Sequence, residues 1–140
     1  MVKAEYEKKT NSIILRHVIE VVDVGTPINP LTVIGQIEGG VAQGVGYALT
    51  EALEHSRHAG KVISSDLLTY RVPLICDMPE IHGEYIENFE PTGPLGAKSV
   101  GELTTVPVAP AIADAYPRHP AERSIKYHCL NFFFIKPNKK

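Results

Sequence analysis

The sequence predicts a mixed α/β (α+β) fold, and three observations carry that prediction. Two β-rich stretches at residues 2–7 and 13–24 flank the turn-prone run Lys8-Lys9-Thr10-Asn11-Ser12, the pattern of an antiparallel hairpin. A long stretch beginning at Leu31 then places apolar residues at helical steps. After it, short strand-like and loop segments follow one another until a last short helical stretch at residues 107–116.

The hairpin's second arm, Ile13-Ile14-Leu15-Arg16-His17-Val18-Ile19-Glu20-Val21-Val22, is apolar enough to be largely buried, and it breaks at Asp23-Val24-Gly25-Thr26-Pro27. Asn29-Pro30 is a good helix start, with Asn as the cap and Pro at the first helical position. From Leu31 to about His58, the residues Val33, Ile37, Val41, Val45, Ala48, Ala52 and Leu53 recur at mostly three- and four-residue steps. This helix carries Gly35, Gly39, Gly40, Gly44 and Gly46, and each interior glycine costs about 1 kcal/mol relative to alanine. Such a run is poor helix design unless something approaches the backbone closely. Gly60 is the expected stop. Residues 61–64 read as a short strand, 67–79 as an irregular connection with Pro73 and Pro79, and 81–88 as a strand. A glycine-rich loop at 90–101 leads to the last short helix, with Thr104 or Thr105 as its expected cap.

Composition bounds the function classes. A chain of 140 residues permits one domain with a modest core. Its formal net charge of -2 gives no electrostatic footprint for nucleic acid or an anionic membrane. The two cysteines, Cys76 and Cys129, cannot supply the four thiolates of an iron–sulfur cluster. No secretory h-region and no uncharged run of bilayer length is visible, so a cytoplasmic location is expected.

Two segments are candidates for chemistry. In Gly35-Gln36-Ile37-Glu38-Gly39-Gly40-Val41-Ala42-Gln43-Gly44-Val45-Gly46, missing Cβ atoms at four-residue spacing open a groove along one helix face. Either another element or a flat ligand can fill that groove. It is not a dinucleotide-binding fingerprint, because Leu49 stands where the third glycine is required. The second segment is Pro91-Thr92-Gly93-Pro94-Leu95-Gly96-Ala97-Lys98-Ser99-Val100-Gly101-Glu102. Thr92 and Ala97 occupy the two glycine positions of a phosphate-binding P-loop, which excludes that reading. What remains is a loop that presents backbone N–H groups and delivers one carboxylate, Glu102, just before a short helix. On spacing alone, that glutamate is an ordinary helix-start acid. His55 and His58 fall i, i+3 on the expected helix without a third ligand nearby, and read as solvated surface residues.

Taken together, Asp23-Val24-Gly25-x-x-Ile28-Asn29-Pro30, the glycine-rich helix, Thr69-Tyr70-Arg71-x-Pro73 and Gly93-Pro94-x-Gly96-Ala97-Lys98-x-x-Gly101-Glu102 follow a known order and spacing. The chain resembles the C-terminal part of the molybdopterin-binding subunit of molybdenum hydroxylases. These are the xanthine dehydrogenase, aldehyde oxidase and carbon monoxide dehydrogenase large subunits, and the resemblance runs from about Ala4 to Ala115.

The resemblance implies that residues 1–115 are a fragment of a larger molybdopterin-binding domain. It implies hydroxylation of an N-heterocycle or an aldehyde with oxygen taken from water, with the glutamate matching Glu102 as general base. A buried carboxylate suits that task. Gly39, Gly40 and Gln43 are expected to lie along the pterin, with Lys98, Ser99 and Val100 near it from the other side. The implied cofactor is molybdenum with molybdopterin, in its cytosine dinucleotide form. Flavin (FAD) and 2Fe-2S clusters are expected on other subunits or domains, and the missing molybdopterin-binding portion is itself an expected partner. Residues 116–140 carry nothing of the family's ending and read as a divergent tail, frame-shifted or disordered. An alternative reading is a catalytically silent remnant, or an interaction module that assembles with a separate cofactor-binding subunit.

Overall fold

The computed structural model describes residues 1–115 apart from Lys8, Asn11 and Arg57, so the expected divergent tail at 116–140 lies outside the described residues. Strands β1 (Val2–Glu7) and β2 (Ser12–Asp23) form the expected antiparallel hairpin, with a register shift between Lys3 and Ala4. The chain then enters helix α1 (Pro30–Leu49), where the Asn29 side chain accepts from the N–H groups of Leu31 and Thr32. Strand β3 (Glu80–Ile86) returns to pair with β2 in parallel, from His17 opposite Glu80 to Asp23 opposite Ile86. A parallel partner requires a crossover from one end of the sheet to the other, and α1 with the connection after it supplies that. The sheet order is β1-β2-β3. Helix α2 (Val108–Ala115) packs against α1 and β1.

The core lies between the sheet and the helices in two clusters. Leu15 and Val18 of β2 meet Val41, Val45 and Ala48 of α1 and Val108 and Ile112 of α2. Farther along β2, Val22 and Val24 meet Val33 and Ile37 near the start of α1. The four-residue recurrence of Val33, Ile37, Val41 and Val45 therefore marks the buried face of α1, as its spacing predicts.

Several expectations are corrected. The helix stops at Leu49 rather than near His58, because the N–H groups of Thr50 and Glu51 both turn back onto the Gly46 carbonyl. Ala52 and Leu53 continue the apolar spacing but lie in the connection. Gly60 is accordingly not a helix stop: it sits at φ 62° in a turn where Ser56 donates to the Lys61 carbonyl. The strand expected at 61–64 reduces to one bridge between His55 and Val62, so His55 and His58 do not share a helix face. His17 is exposed and lies 3.0 Å from a Glu80 carboxylate oxygen. The Thr104 and Thr105 hydroxyls, expected to cap α2, are used elsewhere.

Candidate functional site

The glycines of α1 divide between two faces. A Cβ at Gly40 would lie 1.7 Å from Thr104 Oγ1, and one at Gly44 would lie 2.5 Å from Val108 Cβ. These two positions are bare so that the 3-10 turn Glu102–Thr104 and α2 can seat against the helix backbone. At Gly35 and Gly39, by contrast, a Cβ would meet nothing within 4 Å. Both are exposed, as are Gln36 and Gln43. Packing thus accounts for Gly40 and Gly44, while Gly35, Gly39 and Gln43 mark an open face of bare backbone with polar side chains.

The loop that delivers Glu102 is fixed to the end of β2. Asp23 accepts from the Gly25 N–H at 3.0 Å and from Lys98 Nζ at 2.7 Å, and Asn88 Nδ2 donates to it at 3.3 Å. The Lys98 ammonium, with help from the Gly25 amide, holds the Asp23 carboxyl below its ordinary value. Backbone bonds complete the joint: Thr26 donates to the Gly96 carbonyl and Lys98 to the Val24 carbonyl, each at 2.9 Å. Gly25 stands at φ 64°, and a Cβ there would come within 2.3 Å of the Gly96 oxygen, so glycine is required by both conformation and space.

From this anchor the predicted residues take different positions. Lys98 spends its charge on Asp23. Val100 packs against the cluster of Val22, Val24, Val33 and Ile37. Ser99 is exposed. Glu102 opens the Glu102–Thr104 turn and is also exposed, so the expectation of a buried carboxylate does not hold within this chain. Leu103 beside it is exposed as well, so this part of the turn lies at the surface.

Two threonines then tie the turn to α1. Thr104 Oγ1 donates to the carbonyls of Gly101 at 2.9 Å and Gln36 at 3.3 Å. Thr105 Oγ1 donates to Gln43 Oε1 at 3.3 Å, while Gln43 Nε2 donates to Tyr47 OH at 2.6 Å. Glu102, Gly39 and Gln43, separated in sequence, are thereby brought to neighbouring parts of one surface. Gly40 lies beneath Thr104 instead, and Lys98 and Val100 face inward. Beside them a depression of about 180 Å³, lined by Asn29, Thr32, Ala97 and Lys98 among others, lies at the start of α1.

Sequence reasoning missed the anchoring roles of Asp23, Thr104 and Thr105. An Asp two residues before a glycine carries a signal for a local side-chain-to-backbone turn, but its partner 75 positions away carries none. The arrangement can present one carboxylate beside a strip of open helix backbone, with amide and hydroxyl groups at hand to orient a polar ligand.

The model of a molybdopterin cofactor-binding domain matches residues 1–79. The chain is 37% identical over 101 residues to the putative xanthine dehydrogenase molybdenum-binding subunit XdhA of Escherichia coli K12, covering 72% of this chain and 13% of that protein. It is 33% identical over 107 residues to the aldehyde oxidoreductase molybdenum-binding subunit PaoC of the same organism, covering 76% of this chain and 15% of PaoC. Among solved structures, quinoline 2-oxidoreductase from Pseudomonas putida 86 superposes with a TM-score of 0.73 at 33% identity, covering 80% of this chain and 15% of that one. The chain therefore spans only about an eighth to a seventh of the length of the curated relatives it matches.

Proposed function

The chain belongs to the molybdopterin cofactor-binding family of the molybdenum hydroxylases, and from that premise we propose that it is the base-bearing piece of a xanthine dehydrogenase-like oxidoreductase. Residues 1–115 form the C-terminal portion of the cofactor-binding domain in this reading, and the remainder is supplied from outside them. The substrate class is an N-heterocycle or an aldehyde. The observation that carries the proposal is the docking of the Glu102 turn beside the open Gly39 and Gln43 face of α1, held there by Thr104 and Thr105.

The residues fit a flat, polar cofactor on one side. With nothing within 4 Å of a Cβ at Gly35 or Gly39, a planar group can lie against the helix backbone. Gln43 would hold it through its side-chain amide and Ser99 through its exposed hydroxyl. Gly40, Lys98 and Val100 would act through position rather than side-chain contact, since their side chains or bare faces are occupied within the chain. When bound, a molybdenum–molybdopterin group, which we propose in its cytosine dinucleotide form from the likeness to bacterial subunits, supplies the two-electron oxidation.

Glu102 then has one task, which is to accept a proton at a carboxylate oxygen as water is activated for attack on the substrate carbon. Its exposure here is compatible with that task only if the assembled enzyme closes over the turn. FAD and 2Fe-2S units that would take up the electrons would sit on other polypeptides or domains, because the two cysteines of this chain cannot hold a cluster. In the assembled enzyme, Glu102→Gln is expected to lower turnover by about 10²–10⁴-fold while molybdenum content stays unchanged. Turnover retained by that variant removes Glu102 from the role of base.

A second reading, an interaction module or silent remnant, draws on the exposure of Glu102 within the described residues. The two readings separate on whether an assembled complex turns over at all.

A further inference from the structure

Gln43 stands one helical turn before Tyr47 on α1, and residues four apart share a helix face. Its side chain is exposed, yet both ends of its amide are engaged. Nε2 donates to Tyr47 OH at 2.6 Å, and Oε1 accepts from Thr105 Oγ1 at 3.3 Å. Both partners are hydroxyls, which can donate or accept, so the pair of bonds survives a flip of the amide. A glutamine amide has two N–H groups and two carbonyl lone pairs. Either way round, one N–H and one lone pair are left over at the surface. Thr105 is itself held. Its N–H donates to the Glu102 carbonyl at 3.0 Å, so the hydroxyl that meets Gln43 rides on the turn that carries Glu102. The turn does not need that hydroxyl for its own seat, because Thr104 Oγ1 reaches the Gln36 and Gly101 carbonyls. The bond from Thr105 therefore fixes an exposed side chain rather than a buried element.

We propose that Tyr47 and Thr105 are positioning residues for Gln43, clamping its amide so that one N–H and one lone pair stay available to a ligand on the open face of α1. This rests on the reading that the cofactor lies along that face. An unclamped glutamine on a helix surface samples several rotamers, and a ligand that orders it loses affinity to the lost freedom. The clamp removes that loss before the ligand arrives. It also joins the Gln43 face to the segment that presents Glu102, so the two keep one spacing.

The test is NMR on the isotope-labelled full chain, in which the exposed Gln36 is the one other glutamine and serves as internal reference. The Gln43 side-chain amide is expected to show a higher order parameter than that of Gln36 and a contact to the Tyr47 ring. Tyr47→Phe and Thr105→Val should each lower it toward the Gln36 level, while Thr105→Ser, which keeps the hydroxyl, leaves it high. Should Thr105→Val lose the dispersed spectrum of a folded chain, Tyr47→Phe, which removes a single oxygen, decides. In the assembled enzyme, Thr105→Val is expected to weaken retention of molybdenum roughly twofold to tenfold, the effect of one ordinary hydrogen bond, and Thr105→Ser to restore it. A Gln43 amide as mobile as that of Gln36 overturns the proposal, as do variants that leave its mobility unchanged. So does full retention of molybdenum by Thr105→Val where Gln43→Ala loses it. Full retention by Gln43→Ala overturns the underlying reading of the open face and the clamp's role with it. The order parameters, measured without cofactor, separate that failure from a clamp that does not form.

Discussion

Glu20 carries a carboxylate into the buried side of β2. It sits in the middle of β2 at 7% exposure, between the two core clusters, and its Oε1 atom has no hydrogen-bond partner. Burial pushes its carboxyl above the ordinary 4.5, and the N-terminal ammonium offsets only part of that. The folded-state value is raised, so at acid pH both states are protonated and the penalty is absent. As pH rises from the unfolded value through the folded one, the penalty grows, and above both it is complete. Replacing Glu20 with Met is expected to stabilise the chain at pH 7.5 by about 1–3 kcal/mol, the usual cost of an unsatisfied buried polar group. The gain should shrink toward pH 4, and urea unfolding at the two pH values measures it. Asp23 has the opposite sign. Its carboxyl is held low by Lys98, so its contribution is complete above the unfolded value of 3.8 and is lost as pH falls through the lower folded one. Asp23→Asn releases Lys98 and should speed amide exchange at Lys98, whose N–H is bonded to the Val24 carbonyl. Unchanged exchange there means that the backbone bonds hold the loop without the ion pair. Beyond the local turn that Asp23 before Gly25 signals, neither role is legible in sequence, since both effects come from what the fold places around these residues.

At the scale of elements, α1 shows what a pattern can and cannot carry. Its start, its buried face and its departure from good helix composition are all local facts, and the sequence states them through Asn29-Pro30, through Val33, Ile37, Val41 and Val45, and through the glycines. Its end is not local. The spacing runs on through Ala52 and Leu53, but Glu51 folds back over Gly46 and is bonded by Tyr70 from the far side of the connection. The parallel pairing of β2 with β3 is hidden for the same reason, because strand direction depends on the crossover rather than on alternation within the strand. For the site, the glycine run signals close approach without saying which glycine is approached. A single substitution separates them. Gly35→Ala and Gly39→Ala enter open space and should each stabilise the isolated chain by about 0.5–1 kcal/mol through helix propensity. Gly44→Ala drives a methyl group into Val108 and should destabilise it, with a cost of about 1–3 kcal/mol. Thermal unfolding of the three variants gives the signs. On the proposed reading, Gly39→Ala carries a further consequence: a chain made more stable should yield an assembled enzyme that retains less cofactor. If Gly39→Ala retains it fully, the open face is not where the cofactor lies.

For the molecule as a whole, the surface is apolar in places where an independent domain of this size has reason to be polar. Leu67 is 82% exposed, Leu68 96% and Ile75 94%, and all three lie on the connection between α1 and β3. Ligand pockets bury roughly 70–90% of what they hold, whereas the Gly35, Gly39 and Gln43 face offers a single wall. Of the three, Ile75 adjoins that wall, since it lines the same groove as Gln43. The isolated chain is therefore expected to purify with molybdenum well below one atom per chain, as elemental analysis would show. On the proposed reading, adding a polypeptide that carries the rest of a cofactor-binding domain should raise its melting temperature. At a concentration a hundredfold above the dissociation constant the stabilisation is about 2.7 kcal/mol, which for a domain of this size corresponds to roughly 10 °C. Stoichiometric molybdenum in the chain alone would mean that one wall suffices and that the apolar connection serves some other contact. A melting temperature indifferent to the added polypeptide would separate Glu102 from any cofactor pocket, because an exposed carboxylate in a one-sided site has no means of excluding the water that would otherwise compete for its proton.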